Sequence, residues 1–175
     1  ALNASLAIAK NPGISYNPCL IYGGVGLGKT HLINAIGNYI LEHQKDLKVQ
    51  YITAEAFTNE FIESIGSAGS GKAQQFKNKF RKVDVLLMDD IQFIQQKTQT
   101  QEELFHTFNE LYEAKKQIVF TCDRPINELK GVMDRLTNRF ERGLNVDLQP
   151  PAYETRVAIL RNKCKMQNKQ VDADI

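Results

Sequence analysis

Eight consecutive residues, Gly23-Gly24-Val25-Gly26-Leu27-Gly28-Lys29-Thr30, bring glycines, one lysine and one hydroxyl into the order G-x-x-x-x-G-K-[ST]. The chemistry follows from the spacing. Glycines let the backbone turn its N–H groups inward, where they can surround phosphate oxygens. A helix beginning near Lys29 points the positive end of its dipole at the same place. Lys29 can reach the β- and γ-phosphates of a nucleoside triphosphate, and Thr30 can ligate Mg²⁺. The flanks suit the motif. Cys19-Leu20-Ile21-Tyr22 reads as a buried strand, and Leu32, Ala35, Ile36 and Tyr39 fall on one helical face.

Two further runs end in groups that could act on a bound phosphate chain. Val83-Asp84-Val85-Leu86-Leu87-Met88-Asp89-Asp90 is an apolar strand closing on two carboxylates. Acids at the C-terminal end of a parallel strand face the ligand crevice. Asp89 suits holding Mg²⁺ through water, and Asp90 suits orienting or deprotonating the attacking water. Asp90 also precedes Ile91-Gln92-Phe93, so a helix N-cap is the competing role. Ile118-Val119-Phe120-Thr121-Cys122-Asp123-Arg124-Pro125 is a second apolar run with a polar end. Thr121 or Asp123 could bond the γ-phosphate or the water there, or the segment could simply turn. Arg135 and Arg139 are four apart on one helical face. A fixed arginine can stabilise γ-phosphate charge, in cis or from a neighbour, whereas arginines at a helix C-terminus also complement its dipole.

These groups need a scaffold. Short runs rich in Val, Ile, Leu and Tyr lie at 19–22, 48–53, 84–88, 117–121 and 144–147, as in buried parallel strands. Helical periodicity fills 29–43, 54–65, 72–81, 99–115, 126–140 and 153–167. The β-α-β rhythm predicts an α/β, doubly wound, five-stranded parallel sheet covered on both faces. Gly66-Ser67-Ala68-Gly69-Ser70-Gly71 reads as a surface loop, and Gln149-Pro150-Pro151 as a break. The expected division is a nucleotide-binding core over 1–149 and the start of a truncated helical lid over 150–175.

Composition bounds the class. The 175 residues, 42% hydrophobic, are enough for one well-buried domain. No apolar run approaches the ~20 residues needed to span a bilayer. The first ten residues lack the basic lead of a signal peptide and read as an amphipathic helix; without an initiator Met, the chain is expected to be an excised fragment. Cys19, Cys122 and Cys164 have no metal-ligand spacing and read as buried or inert thiols of a cytosolic protein. The net charge of +2 decides nothing, but Ser64 to Val83 holds Lys72, Lys77, Lys79, Arg81 and Lys82 with no acid. That run is either a solvated helix face or a phosphate-backbone contact surface.

Taken in order, the phosphate loop, the Asp-Asp strand, the polar-ended strand and the arginine helix resemble the AAA+ ATPases. The wording of Tyr16-Asn17-Pro18, Tyr22 to Leu32, Asp89-Asp90-Ile91-Gln92-Phe93, Gln101-Glu102-Glu103, Phe105-His106-Thr107-Phe108-Asn109, Asp123-Arg124-Pro125, Arg135-Leu136, Arg139-Phe140, Pro150-Pro151 and Glu154-Thr155-Arg156 is similar, within that class, to the bacterial chromosomal replication initiators. The resemblance implies a weak ATPase that binds ATP or ADP and Mg²⁺. Gly24, Val25, Gly26, Leu27, Gly28, Lys29, Thr30 and His31 would hold the nucleotide, and Thr30 and Asp89 the metal. Asp90 and Asp123 would be catalytic, with Asp123 as first sensor. Arg139 would be a finger reading ATP on the next protomer, with Arg135 assisting at that interface.

The resemblance further implies an ATP-dependent helical oligomer that opens origin DNA in the cytoplasm. The insertion from Ala54 to Arg81 would steer that filament. Single-stranded DNA would meet the segment near Lys97 to Gln99, and with the basic run this nominates Lys77, Arg81 and Lys97. The replicative helicase and regulators would be further partners. Asp-Asp stands where many AAA+ proteins have Asp-Glu, which fits slow hydrolysis, and Gln99 stands where relatives often carry a base. The lid's sensor arginine and the duplex-reading domain would lie outside this chain. A helicase loader or initiator-like regulator would share the core. A metabolic kinase or GTPase is a third reading, but the chain has no Asn-Lys-x-Asp for guanine.

Overall fold

The computed structural model describes residues 1–66 and 71–167. In chain order the elements are α1 (Leu2–Lys10), β1 (Cys19–Tyr22), α2 (Lys29–His43), β2 (Val49–Thr53), α3 (Ala54–Gly66), α4 (Lys72–Arg81) and β3 (Val85–Asp89). A 3-10 turn (Ile91–Ile94), α5 (Thr98–Glu113), β4 (Gln117–Cys122), a second 3-10 turn (Ile126–Glu128), α6 (Asp134–Glu141), β5 (Leu144–Asp147) and α7 (Tyr153–Met166) follow. The loop expected at 66–71 has its centre, 67–70, outside the described residues.

All five strands are parallel, in the order β2-β3-β4-β1-β5. β3 and β4 are buried throughout, which is why they read as unbroken apolar runs. Alternate side chains serve two cores. Leu20, Leu86, Met88, Ile118 and Phe120 face α3 to α6, where Phe120 meets Phe140 edge-on at 4.6 Å. Cys19, Ile21, Val85, Leu87 and Val119 face α1 and α2. Gly37 lets α2 lie close on the sheet, since a Cβ there would come within 2.8 Å of Leu87 Cδ1.

The register sets the site. Tyr22 of β1 is level with Cys122 of β4, and Thr53 of β2 with Asp89 of β3. The phosphate loop, the acidic pair and Asp123 therefore leave neighbouring strands at one edge of the sheet. That is where open parallel sheets receive ligands.

The single helix expected over 126–140 is two pieces, a 3-10 turn and α6. Gly131, at φ +74, breaks the run. The buried Gln101 amide then donates to Gly131 O at 2.7 Å and accepts from Met133 N–H at 2.8 Å, so a distant side chain replaces the helical bonds. The expected helix over 153–167 is present as α7, which buries none of its residues.

Candidate functional site

A cleft of about 590 Å³ opens at the strand ends. Val25, Gly26, Gly28, Lys29, Thr30 and His31 form one wall, and Asp90, Gln92, Phe93 and Asp123 the other. α2 starts after Gly28, whose φ of +94 suits glycine, and no side chain caps its N-terminus. Its first-turn N–H groups and dipole are thus open to an anion. Lys29, 8% exposed, donates its ammonium to the carbonyls of Gly23 at 2.7 Å and Gly24 at 2.8 Å. An ammonium has three donors, so one remains for a phosphate while two brace the loop. Gly24 and Leu27 complete the loop outside this lining.

The two aspartates are treated differently by the fold. Asp89 is 1% exposed and lies beneath the cleft. Thr121 donates its hydroxyl to Asp89 Oδ1, and Tyr51 donates to Oδ2 at 3.0 Å. Burial, then the charge of Asp89, pushes the Tyr51 phenol up to about 12. Asp90 follows in the left-handed conformation, φ +58, and its N–H donates to Thr121 Oγ at 2.8 Å. That bend turns Asp90 onto the cleft wall. Asp90 occupies the N-cap position of Ile91–Ile94 but makes no side-chain cap bond, so its carboxylate is not committed to capping.

Of the two sensor candidates, Thr121 is fully buried, binding Asp89 and Asp90, whereas Asp123 lines the cleft. Asp123 is paired with Arg124 at 2.9 and 3.0 Å. The Arg124 hydrogen bonds hold its carboxyl below the usual range, with the Lys29 charge adding to the effect. Sequence reasoning missed Gln92 and Phe93 as cleft residues and Tyr51 as a partner of Asp89. Only their proximity to the acidic pair in the chain, or the strand register, could have pointed to them.

Arg135 and Arg139 sit on α6, outside the cleft lining. Their guanidinium carbons lie 4.7 and 5.7 Å from the Phe105 ring centroid. Lys97 is exposed at the start of α5 and lines a second, shallow cleft of about 430 Å³ with Thr58, Asn59, Phe61 and Ile62 of α3. Lys77 is exposed on α4. Arg81 departs from the expected phosphate-contact surface. It turns inward to Glu103 at 2.6 Å and Glu110 at 3.0 Å. Lys79 is similarly engaged, with Glu60 at 2.7 Å. Lys79 and Arg81, two of the five cations in the basic run, thus tie α4 to its neighbours. Among the described residues, no helix is long and apolar enough to cross a membrane.

A family model described as the bacterial DnaA ATPase domain matches residues 1–147. The chromosomal replication initiator protein DnaA of Treponema denticola is 62% identical over 170 residues, 97% of this chain and 35% of that protein. The chain thus spans about a third of the length of that curated relative. Domain III of the Thermotoga maritima initiator superposes with a TM-score of 0.92 at 48% identity, covering 99% of this chain and 71% of that one. A replication initiator DnaA bound to AMPPCP and single-stranded DNA superposes at 0.88 with 38% identity, covering 98% of this chain and 52% of that one. At these identities the initiator reading stands above the helicase-loader and metabolic-kinase alternatives. With the phosphate loop, the acidic strand end and the arginine helix all in place, the chain belongs to the family of bacterial DnaA ATPase domains.

Proposed function

We propose that this chain is the ATP-binding, slowly hydrolysing module of a bacterial replication initiator, assembling as an ATP-dependent helical oligomer on origin DNA in the cytoplasm. The observation that carries the reading is the cleft in which an uncapped helix N-terminus and Lys29 face Asp90 and Asp123. The loop N–H groups and Lys29 bind and orient the phosphates, and Asp90 takes the proton of the attacking water. Asp123, opposite Lys29, orients the water or the γ-phosphate.

Among the described residues no cluster of three or more His, Cys, Asp and Glu is placed to hold a metal by itself. Mg²⁺ binds through few protein groups and the nucleotide phosphates. Thr30 would ligate it and Asp89, beneath the cleft, would hold its water. When bound, Mg²⁺ neutralises charge on the β- and γ-oxygens.

Arg139, away from its own cleft, would reach ATP on the next protomer, with Arg135 beside it. The relative solved with AMPPCP and single-stranded DNA supports nucleotide and strand as ligands here. Lys97 and Lys77 are the favoured strand contacts, because Arg81 is paired with Glu103 and Glu110. The core ends near 149 and the lid begins at 150. Contacts with helicase and regulators belong to the whole protein.

The experiment pairs two variants of the full-length protein, measuring ATP affinity and ATP-dependent assembly on origin DNA. Lys29→Ala loses charged hydrogen bonds worth about 1.5–3 kcal/mol each, so nucleotide affinity falls by at least roughly tenfold. Arg139→Ala keeps ATP affinity and loses the γ-phosphate dependence of assembly, a coupling of roughly 5–150-fold. Unchanged affinity in a folded Lys29→Ala protein overturns the nucleotide site. Normal assembly of Arg139→Ala overturns the trans finger.

A further inference from the structure

Gln92 links Asp90 and Asp123, the two acidic groups of one cleft wall that must cooperate in hydrolysis. It sits on the 3-10 turn Ile91–Ile94, whose Ile91 and Ile94 are fully buried. Those anchors fix the turn and send Gln92 to the cleft. Its Nε2 donates to Asp90 Oδ1 at 3.1 Å, and its Oε1 accepts the backbone N–H of Asp123 at 3.3 Å. The amide orientation is determined by its surroundings. Reversing it would set an oxygen against the Asp90 carboxylate and an NH₂ against a backbone N–H, losing both bonds.

Asp90 has little else to define its side chain. Its backbone is held by Thr121, but among the described residues its carboxylate neither caps the turn nor pairs with a cation. A carboxylate rotating freely about its side-chain bonds presents its lone pairs to water only part of the time. A donor fixed at Oδ1 selects one rotamer and leaves Oδ2 for the water. Because the same amide is tethered at Asp123, just past the end of β4, the rotamer is indexed to the strand that leads into the sensor.

We propose that Gln92 is a positioning residue for hydrolysis, holding the Asp90 carboxylate in its working orientation through the amide bridge to the Asp123 backbone. The inference rests on the ATPase reading above. It assigns Gln92 no contact with nucleotide, so it predicts an effect on turnover and none on binding.

The test uses the full-length protein with Gln92→Leu, Gln92→Glu and Asp90→Asn, and the Gln92→Leu/Asp90→Asn double variant. ATP affinity and single-turnover hydrolysis are measured on each. Gln92→Leu removes both hydrogen bonds at similar size. It should bind ATP like the parent and hydrolyse it at least roughly tenfold more slowly, short of the roughly 10²–10⁴-fold carried by a general base. Gln92→Glu retains the acceptor for the Asp123 N–H but sets an anion against Asp90, so it should be slower than Gln92→Leu. If Gln92 merely anchors Asp123, that order reverses and the proposal fails. It also fails if Gln92→Leu turns over at the parental rate or faster, or if Gln92→Leu slows the Asp90→Asn protein further. Failure of the ATPase reading looks different: the parent binds no ATP, or Asp90→Asn hydrolyses it at the parental rate.

Discussion

Replacing Arg81 by methionine separates a structural arginine from a DNA-binding one. The side chain closes α4 onto α5, donating to Glu103 at 2.6 Å and Glu110 at 3.0 Å. Arg81 is 16% exposed and Glu103 10%, whereas Glu110 is 53% exposed. Burial alone would lower the Arg81 pKa, and the bonds and charges of the two glutamates outweigh it. Methionine keeps most of the aliphatic packing and removes the charge. Glu103 would then be an anion with little water and, among the described residues, only the Thr107 hydroxyl, at 3.5 Å, beside it. Breaking a buried pair from one side costs about 3–5 kcal/mol, and the residual exposure here argues for about 3. The exposed Glu110 contact adds at most about 1 kcal/mol. For a domain of this size, about 3 kcal/mol lowers Tm by roughly 6–12 °C. Adding Glu103→Leu should restore most of the loss, because apolar replacement of a whole buried pair is often neutral. The assay is thermal denaturation by circular dichroism, run beside a salt titration of single-stranded DNA binding. A Tm within about 1 °C of the parent, together with a salt slope flattened by about 0.7, would refute the structural assignment and return Arg81 to the DNA surface.

Acid stability should show the Asp84–Lys116 pair, 2.7 Å apart. The Lys116 hydrogen bond, then the Lys48 N–H, hold Asp84 below the usual carboxylate range. A lowered carboxylate stabilises the fold fully above its unfolded pKa of about 3.9, and that contribution fades as pH falls through the folded value. Lys116→Met should therefore be less stable than the parent near neutrality, by about 1 kcal/mol or less for this partly exposed pair, and the two should converge in acid. A pH-independent gap in urea unfolding counts against it. The thiols give an independent check of packing. Burial pushes Cys19 up to about 12 and Cys122 to about 11, while Cys164 is only half-buried on α7. A maleimide at neutral pH should label native protein at Cys164 alone and all three thiols after denaturation; labelling of a native Cys164→Ser protein refutes this.

Arg81 also shows what kind of information the chain does not display locally. The basic run from Ser64 to Val83 reads as one surface because no acid lies within it. The acids that claim Arg81 are 22 and 29 residues further on, and only the packing of α5 brings them near. The same holds for Gln101, which ends one helical segment and starts α6 from about 30 residues away. Ile126, Leu129, Val132, Met133 and Leu136 keep helical spacing through that break, so periodicity could not reveal it. By contrast, α2 was legible at Lys29–His43 because its start, its apolar face and its loop chemistry are all contiguous. β1, β3 and β4 were legible because burial on both faces makes each run apolar, whereas the outer strands β2 and β5 are only partly buried and mix apolar with polar residues.

The acidic pair lies between these cases. A strand that ends in two carboxylates announces the crevice, but not which carboxylate enters it. Strand alternation sends successive side chains to opposite faces, and here the pattern is interrupted after one residue. Met88 pairs with Phe120, so the next step along both strands sets Asp89 beside Thr121 and buries it. Thr121 then accepts the N–H of Asp90 and secures a left-handed bend that aspartate tolerates better than most residues. The register of β3 on β4 therefore divides two chemically identical neighbours into a buried carboxylate braced by two hydroxyls and one on the cleft wall held only by the Gln92 amide among the described residues. Which aspartate lines the cleft is a property of strand pairing, and the residues that settle it, Tyr51 and Thr121, lie 38 and 32 positions from Asp89.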